Sequence, residues 1–164
     1  MAIGKPISYG SFTINDRAYE TLTVSPFYYI QVQSVDGLYG SDFSYESHPV
    51  PNAIGEKSGD VFRRGKTITL TGTIWARDMA ALMSGNYLLM EMLADRSIKK
   101  LIFTPFNYGQ QLYINCRPYQ DLSVTEAIQE TFGVHRFAYT FGLRADDPRS
   151  RLVSNDSVFP TFQQ

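Results

Sequence analysis

The stretch RRGKTITLTGTIWA, residues 63 to 76, places Ile68, Leu70 and Ile74 at alternate positions and fills the gaps with Thr67, Thr69, Thr71 and Thr73. Side chains along a β-strand point to opposite faces in turn, so this segment has one apolar face and one face of hydroxyls. It reads as a strand with one side in a core. Threonine suits the other side, because β-branching fits the pleat and the hydroxyl bonds across strands or to water. That second face meets a neighbouring sheet, another subunit, a hydrated channel or plain solvent.

The same two-residue period recurs along the chain. SFTIND (11 to 16) reads as a strand and turn, and FYYIQVQSV (27 to 35) sets Tyr28, Ile30 and Val32 against Tyr29, Gln31 and Gln33. KKLIFTPF (99 to 106), QQLYINCRPY (110 to 119) and GVHRFAYTFGLRA (133 to 145) follow. In the last, His135, Phe137, Tyr139, Phe141 and Leu143 share one face, which is read as core. Residues 77 to 95 instead carry Met79, Leu82, Met83, Tyr87, Met90, Leu93 and Ala94 at three- and four-residue spacing, the signature of a helix with an apolar stripe. Asp78 is placed to cap it. Gly85 weakens such a helix by about 1 kcal/mol relative to alanine, which predicts a kink or a close helix–sheet contact. One helix among many strands predicts a mainly β (α+β) fold, an antiparallel β-sandwich or split barrel with one flanking α-helix.

Residues 36 to 65 break the pattern. They contain Gly37, Gly40, Gly55, Gly59 and Gly65 with Pro49 and Pro51, and they far exceed the usual connection of about 4 to 6 residues. Phe43 and Tyr45 alternate with Asp42 and Ser44, so the segment is expected to form a long projecting loop or hairpin arm. Phe43, Tyr45 and Ile54 offer apolar groups that a partner could bury, and the arm is expected to be mobile in a free subunit and ordered against neighbours.

At 164 residues the chain is long enough to bury a single core without disulfides or metal. One domain over residues 1 to 164 is expected, with a C-terminal tail from about 150 to 164. A net charge of −1 provides no global basic field for nucleic acid or an anionic membrane. The opening MAIGKPISYGSF lacks the apolar run of a signal peptide, and no window reaches 18 uninterrupted apolar residues. A soluble, non-membrane protein is expected.

Catalytic sets are missing. His48 and His135 are the two histidines, and neither HExxH nor CxxC spacing occurs. His48 reads as a loop residue before Pro49, His135 as a packed strand residue, and Cys116 as a buried inert thiol. EKSGDVFRRGK lacks the spacing of a phosphate-binding loop, and the Asp146–Asp147 pair beside Pro148 reads as a turn. The expectation is a non-enzyme without cofactor or metal. Arginines are the unusual feature: Arg63, Arg64 and Lys66 precede the Thr strand, while Arg144, Arg149 and Arg151 flank Asp147. With 11 Tyr and 11 Phe, this composition suits a protein interface as well as it suits a solvated face.

FRRGKTITLTGTI, the helix, KKLIFTP and then FAYTFGLRADDPR, in that order, resemble the N-terminal ring-forming domain of siphophage distal tail proteins. The matching positions are Arg63 or Arg64, Gly65, Ile68, Leu70, Gly72 and Ile74, then Leu143, Ala145, Asp147 and Pro148. The resemblance spans residues of about 10 to 152, and the order of the pieces is more specific than any one of them. It implies a structural virion protein, assembled in the host cytoplasm, whose six copies form a ring joining the tail tube to the baseplate or tail-tip hub. Partners would be further copies, the tail tube protein, the hub protein and other minor tail proteins. DNA would pass through without specific recognition. Many relatives carry a galectin-like second domain, which is not expected here, so carriage of receptor-binding proteins is not implied. The interface residues that follow are Phe43, Tyr45, Ile54, Arg63, Arg64, Lys66, Arg144, Asp147, Arg149 and Arg151. A tail tube or tail-terminator protein is the alternative reading, and a small cytoplasmic ligand-binding β domain is the alternative of another class. Because no residue set calls for a metal, exhaustive chelation should leave the melting temperature unchanged, and a fall of several degrees would overturn that expectation.

Overall fold

The computed structural model describes residues 7–14, 28–39, 42–49, 56–105, 109–126 and 135–159, with the backbone alone for 42–49, 56–64 and 159. Its centre is the Thr-bearing strand. β6 (Lys66–Ala76) pairs along its whole length with β9 (His135–Ala145) and on its other side with β3 (Tyr28–Asp36). β8 (Leu112–Glu126) lies beyond β9, but only from Arg117 onward. Its first half pairs instead with β7 (Lys99–Phe103), while β10 (Ser150–Leu152) follows β9 along the opposite edge of β8. β1 (Ile7–Tyr9) joins β7, β2 (Phe12–Ile14) joins β1, and β11 (Val158–Phe159) joins β10. The strands run in the order β2-β1-β7-β8-β9-β6-β3, every pair antiparallel, and the end strands β2 and β3 touch each other. The result is a split barrel in which β8 belongs to both halves, as expected of a mainly β chain with one helix.

β8 turns from one half to the other where its sequence forbids a regular ladder. Pro118 has no N–H to donate, and the register with β9 shifts between Pro118 and Gln120 and again between Gln120 and Ser123. These irregularities also hide the second half of β8 from a period-2 reading, which ended the strand near Tyr119. The residues read above as a C-terminal tail form β10 and β11 from Ser150 to Phe159.

The helix α1 (Met79–Ala94) packs on β6 and β3 and reaches β8 and β9. Asp78 caps it, its Oδ1 accepting the Ala81 N–H at 2.8 Å. Gly85 provides the predicted close contact: a Cβ there would lie 2.8 Å from Ile74 Cγ2 and 3.0 Å from Tyr28 Cδ2. The buried stripe, however, differs from the one expected. Ala81, Leu82, Gly85, Leu89, Met92 and Leu93 face the sheet, whereas Met79, Tyr87 and Met90 are 43%, 59% and 50% exposed. Glu91 is the single charged side chain between Met79 and Ala94, so apolar spacing alone could not say which side of this helix points inward.

One core joins the two halves. Ile68, Leu70 and Ile74 of β6 meet Ile30 and Val32 of β3, Phe141 and Leu143 of β9, and Leu101, Ile114 and Cys116 across the barrel. Within it, Tyr139 crosses β6 at Gly72, and its hydroxyl donates to the Gln31 carbonyl of β3 at 2.8 Å. A Cβ at Gly72 would lie 1.9 Å from that carbonyl oxygen and 2.6 Å from the Tyr139 hydroxyl, so only glycine fits. Gly72→Ala should therefore destabilise the fold by about 3 kcal/mol through overpacking. Tyr139→Phe, which keeps the ring and leaves the Gln31 carbonyl without this donor, should cost about 1–2 kcal/mol. Denaturant unfolding checks both, and an alanine variant as stable as the parent would refute the glycine argument.

Candidate functional site

Two surfaces stand out from the core. The first is the outer face of the half-sheet β8-β9-β6-β3. Across β6, Thr67, Thr69, Thr71 and Thr73 sit opposite Arg144, Gly142, Thr140 and Ala138 of β9. The hydroxyls of Thr71 and Thr140 lie 3.3 Å apart, and Arg144 Nη1 donates to Thr67 Oγ1 at 3.4 Å. At the far end Trp75 Nε1 donates to Gln31 Oε1 at 3.1 Å, and the Arg136 guanidinium lies 5.6 Å from the centre of the Trp75 ring. Ser123 and Thr125 of β8 extend the same rows beyond β9. The opening ladder of threonines is thus a largely half-buried polar face on which Thr67 and Thr71 bond across to β9.

The second surface is the arm. β4 (Asp42–Pro49) and β5 (Glu56–Arg64) form their own two-stranded antiparallel sheet, with Phe43 opposite Arg63, Tyr45 opposite Val61 and Asp42 opposite Arg64. An antiparallel strand pair is therefore present where the alternation of Phe43 and Tyr45 with Asp42 and Ser44 predicted a hairpin arm. Phe43, Tyr45, Arg63 and Arg64 are placed by register, and Ile54 lies outside the described residues.

At the root of the arm two distant sequence pieces meet. Lys66 pairs with Ala145 and Thr67 with Arg144, so RRGK and the turn after β9 are neighbours. Lys66 is 3% exposed and its ammonium donates to the Leu38 carbonyl. Burial pushes its pKa below the usual lysine range. The acid pair beyond Ala145 is committed within the chain. Asp146 meets Arg117 at 3.5 Å, and Asp147 holds Arg149 through two 2.9 Å bonds and lies 3.7 Å from Arg151. The Arg149 side chain, its backbone N–H and the two guanidinium charges hold the Asp147 carboxyl below the usual carboxylate range. Of the residues expected at an interface, the structure thus gathers Lys66, Arg144, Asp147, Arg149 and Arg151 around the arm root. It adds Arg117 and Leu38, which sequence reasoning missed because nothing local marks a strand residue whose partner lies across a turn.

The chemistry-bearing side chains are elsewhere. His135 opens β9 opposite Ala76. Cys116 is buried in β8, and burial pushes its thiol up to about 12. Among the described residues no three His, Cys, Asp or Glu side chains cluster as metal ligands, and no helix is long and apolar enough to cross a membrane.

No family model matches this sequence, and no curated protein matches it. Among solved structures, the fold is similar to the crystal structure of SPP1 Dit (gp 19.1), described as a paradigm of hub adsorption apparatus in Gram-positive infecting phages. The TM-score is 0.59 with 14% sequence identity, over 88% of this chain and 51% of that one. The chain thus spans about half the length of that protein. At that identity the likeness establishes a shared fold.

The buried thiol gives a direct test of the core. Below pH 9, the ordinary thiol value, both folded and unfolded chains keep the proton; between about 9 and about 12 only the folded chain keeps it. Folding stability should therefore fall as pH rises through that window. At pH 8 the native protein should resist alkylation at Cys116 and react once unfolded, and rapid labelling of the native state would contradict the burial.

Proposed function

We propose that this chain is a structural phage tail protein whose copies close into a ring joining the tail tube to the distal hub. The observation that carries this reading is a four-stranded half-sheet whose two outer strands each have one edge without a ladder partner among the described residues, although β2 touches β3. Among the described residues β3 has β6 as its sole ladder partner, and β8 from Arg117 to Glu126 has only β9. An unpaired edge is a template for another strand. With four antiparallel strands, β8 and β3 run in opposite directions, so β3 of one copy set beside β8 of the next continues the alternation unbroken. That contact is head-to-tail, and it must either close by rotation or grow into a filament. Closure would put the hydroxyl faces on one side of a continuous wall, where water or passing DNA meets no large apolar surface.

The likeness to a phage hub protein and the order of the sequence motifs support the same reading, and the ring of six comes from the family resemblance alone. The arm is proposed to lie against the next copy, with Phe43, Tyr45, Arg63 and Arg64 at that contact. In this role the chain is a scaffold without chemistry of its own.

Native mass spectrometry decides between the outcomes. A closed species of six chains is expected, alone or with the tube and hub proteins of the same phage. Open-ended stacks would point to a tube protein, and a chain that stays monomeric with its tail partners would overturn the ring. If Arg63 or Arg64 is desolvated against a carboxylate of the neighbour, the Arg63→Ala, Arg64→Ala double variant should weaken each contact by about 2–5 kcal/mol. An unchanged ring would remove the arginines from the contact.

A further inference from the structure

We propose that Lys66 is the pin that fixes the direction of the β4–β5 arm, tying the segment that enters the arm to the segment that leaves it. The two chain segments paired as β3 and β6 pair again as β4 and β5, but the ladders are separate. The β3–β6 ladder ends at Asp36 opposite Thr69, and the arm ladder begins at Asp42 opposite Arg64. Among the described residues between them, no strand pairing holds the two segments together. Left to itself such a junction is a hinge, and the arm beyond it would sample many directions.

The junction is built as a collar instead. Gly37 takes a left-handed conformation (φ 77°), and a Cβ there would lie 2.2 Å from the Thr67 carbonyl oxygen, so the entering segment lies directly on β6. On the leaving side, a Cβ at Gly65 would lie 2.4 Å from the Ala145 carbonyl oxygen and 2.9 Å from Asp146 Cα, so this segment lies directly on the end of β9. Leu38, between the arm and β3, is buried in the main core. Its carbonyl belongs to no ladder and has no backbone donor among the described residues; the Lys66 ammonium supplies one.

Lys66 is an expensive choice for this place. Among the described residues no carboxylate pairs with it, and its charge is held in the protein interior by a carbonyl dipole. A methionine of similar length would fill the same volume without that penalty, but it could not bond the Leu38 carbonyl. The side chain is therefore retained for the bond and acts as a positioning residue for the arm. A pre-aimed arm meets its partner without first losing that orientational freedom.

The test is a spin–spin distance measured within one chain. Labels go on Ser47→Cys in β4 and Ser123→Cys in β8, with native Cys116 left in place because its buried thiol does not take label. Labelled chain is diluted into unlabelled chain so that only intramolecular distances are read. The expected result is a single narrow distance peak for the otherwise native protein and loss of that peak in Lys66→Met, while the melting curve stays cooperative. Lys66→Gln, which keeps a donor on a stem too short to reach, should lose it as well, and either folded variant can be read alone. A broad distribution with native Lys66, or a peak as narrow in a folded Lys66→Met or Lys66→Gln chain, would overturn the proposal. None of these readouts depends on ring formation, so the arm's direction and the assembly stand or fall separately.

Discussion

The fold depends on β6 being buried on one face while paired on both edges. It is the strand that β3 and β9 share, and every even-numbered position from Lys66 to Ala76 is buried. Such a strand must hide its inner face without forcing its neighbours apart. Gly72 solves that at mid-strand by letting Tyr139 pass over the backbone to the Gln31 carbonyl. A hydroxyl that would otherwise be stranded in the core becomes a tie between β9 and β3, which share no ladder with each other. The register of three strands is therefore fixed at one point in addition to the ladders themselves.

What was legible in the sequence follows from how regular each element is. The inner faces of β3, β6 and β9 were visible because their alternation runs unbroken for most of their length, and α1 was visible because its period differs. β1, β10 and β11 are two or three residues long, too short for any period to emerge. The second half of β8, QDLSVTE, carries two register shifts, and each shift moves the following side chains to the other face. The helix face was misassigned for a different reason: with apolar residues on nearly every side, spacing finds the helix but not its orientation. At the proposed interaction surface, the arm announced itself by its glycines and prolines. Its collar did not, because the groups that form it come from three separated stretches of chain.

The meeting of those stretches explains why the sequence pieces that carry the resemblance occur together. Gly65 and Lys66 lie against Ala145 and Asp146, and Asp147 bonds the backbone N–H of Arg149 at 3.1 Å. The turn after β9 thus has to hold a fixed shape while the arm root packs on it. A small residue at 145 and a self-bonded Asp–Pro turn meet that demand, as does glycine at 65. The motif halves are two sides of one junction, so either half alone is a weak signal and the pair is a stronger one.

The hydroxyl face and the arginines at its edge differ in what they would cost to cover. A buried polar group is expensive when its partners were water molecules, because covering it removes them. On this face Thr71 already faces Thr140, Thr67 accepts from Arg144, and Trp75 donates to Gln31, so much of the bonding survives the loss of water. Such a surface tolerates either state, wet on one side of an assembly or covered in another. Among the described charged groups at the arm root, Asp146 and Asp147 are likewise paired inside the chain. A partner approaching there would have to outbid existing ion pairs, whose exposed geometry makes each worth little. In the proposed assembly, specific recognition is therefore better supplied by strand edges and by the arm, whose position the collar is proposed to set, than by free charge on this face.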